Sequence, residues 1–144
     1  MLDEDSVRLL REINAGCKTA TESMEQVLPY VKNHDLSGLI KDYCSRHNTI
    51  GLEVHRMLND NGESEKDPAP TGELFMSLTT ELKLMLDKGT DRCAELMADG
   101  CSMGIKSVAK YKNKYAKADG QALGLANRLI YTEQEFFTSL LPHL

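Results

Sequence analysis

Apolar residues recur along this chain at intervals of three and four and almost never alternate, so the pattern predicts helices from end to end. The first helix is expected to start in the acidic cluster Asp3, Glu4, Asp5 and Ser6, which suits an N-cap and the positive end of the helix dipole. Its seam reads Val7, Leu10, Asn14, Cys17, Thr21, Met24 and Val27, widened by Ile13, Ala20 and Leu28. It should end near Lys32, with Pro29 bending its last turn. A turn at Asn33, His34 and Asp35, with Asp35 as the cap, leads into a second helix reaching about Asn61. That helix carries Leu36, Ile40, Tyr43, His47, Ile50, Val54 and Met57 on one face. So short a turn makes the two helices antiparallel neighbours.

From Asn59 to Thr71 the pattern breaks, with Asn61, Gly62, Pro68 and Pro70 among charged and small residues, as in a surface crossover. Thr71 can cap a shorter helix bearing Leu74, Phe75, Leu78, Leu82 and Met85, which Gly89 ends. A continuous helix from Glu73 to Lys117 would be about 67 Å long, well beyond its neighbours, so a fresh start at Thr90 and Asp91 is expected. The third long helix then carries Ala94, Met97, Cys101, Gly104, Val108, Tyr111 and Tyr115. The turn at Asp119 and Gly120 precedes a fourth with Leu123, Ala126, Ile130, Glu133, Phe137 and Leu140. The expected fold class is all-α: one domain over residues 1–144, a four-helix bundle whose long crossover holds an extra short helix between the second and third.

The chain has 144 residues, enough for one domain to bury a core without staples. Its net charge of -5, from 22 acidic and 17 basic residues, gives no electrostatic reason to expect nucleic acid or an anionic membrane as partner. No apolar run approaches the roughly 20 residues of a membrane span, and the start Met1, Leu2, Asp3 does not resemble a signal peptide, so a cytoplasmic protein is expected. The four cysteines, Cys17, Cys44, Cys93 and Cys101, fall inside expected helices without a Cys-x-x-Cys pair, as reduced thiols would. The expected short helix is apolar nearly all round, with Met76, Leu84 and Leu86 added to its seam, which predicts a homodimer contact there.

The candidate chemistry centres on His47, an imidazole in the middle of an apolar seam. Such a ring needs a hydrogen-bond partner, a proton or a metal, because a buried unpaired polar group costs about 1 to 3 kcal/mol. Counting residues outward from the turns puts Cys17, His47, Gly104 and Glu133 at one level, with Cys101 about a turn away. Cys44 precedes His47 by three positions and shares its face. Two readings follow. In the first, His47 pairs with Glu133 and the cysteines are small buried residues, with no cofactor. In the second, Cys44, His47 and Glu133 hold zinc or iron, with Cys17 or Cys101 as a further ligand.

With the helices so placed, Thr71-Gly72-Glu73-Leu74, Leu82-Lys83, Gly89-x-Asp91, Ala94 and Tyr111 give the chain a pattern that resembles the ferritin-like superfamily. The likeness is specifically to its small bacterial four-helix-bundle branch, described only as a domain of unknown function. Di-iron members of the superfamily carry a Glu on each of two helices and a Glu-x-x-His motif on each of the other two. Here only His47 and Glu133 match that pattern. Cys44 stands where the glutamate of one motif belongs, and Phe136 where the second histidine belongs. The resemblance therefore implies a bundle that lacks most di-iron ligands and is not a ferroxidase or oxygenase. The preferred function is a non-catalytic module that binds a protein partner or a second copy of itself, the alternative a metal-binding or redox protein.

Overall fold

The structure, a computed structural model, describes residues 2–65 and 92–144. Helix α1 spans Glu4–Val27, α2 His34–Asp60, α3 Cys93–Lys114 and α4 Gly120–Leu140, and the described residues contain no strand. The expected short helix, its dimer contact and the expected start at Thr90 and Asp91 lie outside the described residues.

Local chemistry sets the helix ends. The Asp3 side chain accepts from the Ser6 backbone N–H at 2.7 Å and caps α1, with Glu4 and Asp5 in the first turn. At its other end α1 stops at Val27, earlier than expected, and Leu28–Tyr30 tighten into a 3₁₀ turn around Pro29, whose ring nitrogen has no hydrogen to donate. The cap of α2 is Asn33, not Asp35. Its extended backbone points the side-chain oxygen at the Leu36 N–H, 2.9 Å away, and Asp35 falls inside the first turn. Asp119 caps α4 through the Ala122 N–H at 2.8 Å. The Asp119 backbone N–H in turn donates to the buried Ser6 hydroxyl at 2.8 Å, tying the start of α1 to the α3–α4 turn.

Two antiparallel hairpins, α1–α2 and α3–α4, pack together, with α1 also against α3 and α4 and α2 against α4. The core has two apolar clusters. One joins Leu10 and Ile13 of α1, Val54 and Leu58 of α2, Val108 of α3 and Ala126 and Leu129 of α4. The other joins Met24 of α1, Ile40 and Tyr43 of α2, Met97 and Cys101 of α3 and Phe136 and Leu140 of α4. The starts of α2 and α3 therefore share one end of the bundle, and the helices run parallel, as a crossover between hairpins requires. The expected seams are right to within one residue. Leu58, not Met57, closes the α2 seam, and α4 buries Leu129 and Phe136 more deeply than Ile130 and Phe137. Both choices keep the spacing of three and four, and packing against the facing helices picks between them.

Candidate functional site: a buried His–Glu pair and the groove beside it

Between the two clusters lies a polar layer. His47 is fully buried and Glu133 is 5% exposed. The His47 Nδ1 is 2.6 Å from the Tyr43 carbonyl oxygen one turn earlier on α2. A carbonyl only accepts, so Nδ1 carries a hydrogen and donates it. Nε2 is hydrogen-bonded to Oε1 of Glu133 across the α2–α4 interface. Burial opposes charge on His47, but the hydrogen bond and negative charge of Glu133, with the Tyr43 carbonyl, outweigh it and raise its pKa above the ordinary value. Glu133 thus favours the protonated ring, with the hydrogen bond between Nε2 and Oε1 linking α2 to α4.

The backbone that holds His47 is braced from α4. The Tyr43 and Phe136 rings stack with centroids 4.7 Å apart and planes 10° from parallel. The Arg46 guanidinium lies 4.7 Å from the Tyr43 ring centre and also pairs with Glu135 of α4 at 3.2 Å. Phe136 thereby supports the imidazole of His47 through Tyr43.

Each residue singled out in the sequence can now be placed. Cys101 is buried near Glu133, and burial together with that carboxylate raises its pKa. Cys17 is buried, and its Cβ lies 3.6 Å from where a Cβ on Gly51 of α2 would sit, one turn beyond His47. Burial and the charge of Glu133 push its thiol up to about 12. Cys44 shares the helix face of His47 but lies in the second apolar cluster, where burial and the charge of Glu25 raise its pKa. A Cβ on Gly104 would lie 2.8 Å from Oε2 of Glu133, so this glycine makes room for the carboxylate. Cys17, His47, Cys101, Gly104 and Glu133 therefore gather at one level, whereas Cys44 has Glu25 and not Glu133 as its acidic neighbour. Among the described residues no group of three or more His, Cys, Asp and Glu is arranged to hold a metal ion. The thiols stay protonated at neutral pH and both imidazole nitrogens are engaged, so the layer offers neither a thiolate nor a free imidazole.

A groove of about 940 Å³ runs between α1 and α3, with Leu129, Glu133 and Phe136 of α4 on its floor. Small residues face each other across it: Ala15, Gly16, Thr19 and Ala20 on α1, Gly100 and Gly104 on α3. Toward one end Tyr111 lies near Glu12, and burial together with that acidic neighbour raises the tyrosine's pKa. Sequence reasoning missed the groove, because it followed the large residues of each seam. The small residues on the two facing helices were the available signal.

No family model matches the chain, and no curated protein matches it. Among solved structures it is similar to the crystal structure of a DUF305 fragment from Deinococcus radiodurans, with a TM-score of 0.72 at 13% identity over 98% of this chain and 95% of that one. At that identity the likeness shows a shared helical fold, and no helix among the described residues is long and apolar enough to cross a membrane.

Proposed function

We propose that this protein is a non-catalytic, cytoplasmic binding module, a ferritin-like bundle in which a His–Glu pair stands at the level where di-iron relatives bind metal. The supporting observation is the engagement of His47, whose Nδ1 donates to Tyr43 and whose Nε2 bonds to Glu133. A ring with both nitrogens occupied has no lone pair for a metal, and a fully hydrogen-bonded pair is a tolerable way to bury these groups. The groove between α1 and α3 gives the module a binding surface, and a partner protein or a second copy remains its other mode of association. Elemental analysis of protein purified in reducing buffer without chelator tests the reading. Zinc and iron well below one atom per chain are expected, and a stoichiometric amount of either contradicts it.

The second reading, a zinc or iron site from Cys17, Cys44, Cys101, His47 and Glu133, draws on the convergence of all but Cys44 at one level. It requires the His47–Glu133 bond to open and buried thiols to ionise against their raised pKa values. Metal would then raise the melting temperature, and His47→Ala would abolish the rise.

A further inference from the structure

We infer that the groove between α1 and α3 binds an elongated apolar molecule carrying a neutral hydroxyl, which it anchors on the free acceptor positions of Glu133. This rests on the binding-module reading above and adds the ligand's chemistry. The groove's volume of about 940 Å³ is that of a small-molecule site, and Met24, Met97 and Met103 give its walls side chains that adapt to an apolar shape. Its deepest polar group is Glu133, 5% exposed. A carboxylate has about four acceptor positions. His47 takes one, and Oε2 reaches the α3 wall where Gly104 has no Cβ to cover it. A hydroxyl donor from the groove would use a remaining position.

Charge selects the headgroup. An alcohol adds a hydrogen bond to Glu133 without adding charge to a buried layer. A carboxylate would place a second acidic group against Oε2, which has no hydrogen-bond donor to meet. At the groove's far end Arg8 is paired with Glu4, and Arg11 with Glu63 at 3.5 Å, so both cations there already have anionic partners.

Isothermal titration calorimetry with 1-decanol and with decanoate tests the inference. One decanol per chain is expected, with decanoate weaker by at least about tenfold. A Cβ on Gly100 would meet nothing within 4 Å, so Gly100→Leu should fold as the parent does, by circular dichroism, and project a side chain into the groove one turn from Gly104. Loss of decanol binding in that variant is the expected result. No decanol binding to the parent, equal binding of both probes, or decanol binding that survives Gly100→Leu overturns the inference. Absent binding combined with a lowered melting temperature for Gly100→Leu would show that other parts of the chain fill the groove, which overturns it too. None of these results bears on metal content, so the binding-module reading stands or falls separately.

Discussion

The α2–α4 and α1–α3 interfaces belong to one bundle and have opposite characters. Between α2 and α4 long side chains close the gap: Tyr43 stacks on Phe136, His47 bonds Glu133, Arg46 reaches Glu135, and Arg128 meets Glu53 at 2.6 Å. Between α1 and α3 the facing residues are largely small, and a groove remains. Side-chain size, on backbones of the same kind, decides which interface is sealed and which keeps a groove among the described residues. Glu133 belongs to both, with one oxygen in the sealed side and the other toward the open side.

The comparison can be broken most forcefully at the pair. Glu133→Ala leaves the His47 imidazole buried without its partner and should cost about 3 to 5 kcal/mol in urea unfolding. His47→Leu combined with Glu133→Leu removes both polar groups and should cost clearly less than the sum of the two single changes. Additive costs would mean that the two residues do not act as a unit.

Two glycines one turn apart on α3 sharpen the contrast between the sides. Gly104→Ala puts a methyl group 2.8 Å from Oε2 of Glu133, a carboxylate that His47 holds in place, and should cost about 1 to 3 kcal/mol. Gly100→Ala meets nothing within 4 Å and should gain up to about 1 kcal/mol from helix propensity alone. Thermal melts of the two variants should therefore move in opposite directions.

The pair should also show in the pH dependence of stability. His47 has a folded pKa raised above its unfolded value of 6.5, so its contribution is fully present below that value. It is lost as the pH rises through the folded pKa, because the folded state then gives up a proton it holds more tightly than the unfolded chain. Urea midpoints of the parent should fall over this window, and those of the double leucine variant should stay flat. The smallest effect is expected at the surface, where Arg46→Ala removes half-exposed ion pairs and a ring contact and should cost about 1 kcal/mol or less.

Much of the sealed interface was legible in the sequence, and little of the open one was. His47 stood out as a polar ring in an apolar seam, and counting from the turns placed Glu133, Cys17 and Gly104 at its level because helices rise evenly. The spacing of three put Cys44 on the face of His47, yet its acidic neighbour is Glu25 and not Glu133, since a helix face is wide enough to serve two neighbours. The choice of Phe136 over Phe137 was hidden because both fit a spacing of three and four, and the stack with Tyr43 decides it. The groove left no polar mark. It arises from missing side-chain volume at Ala15, Gly16, Gly100 and Gly104, which shows only once two helices face each other.

The central claim is that His47 is occupied on both sides by the protein itself. The most direct measurement is the nitrogen and proton NMR of its ring at pH 6, before and after one equivalent of zinc. The account predicts hydrogens on both Nδ1 and Nε2 and resonances that zinc leaves in place. A bare Nε2 whose resonance shifts on adding zinc would contradict it.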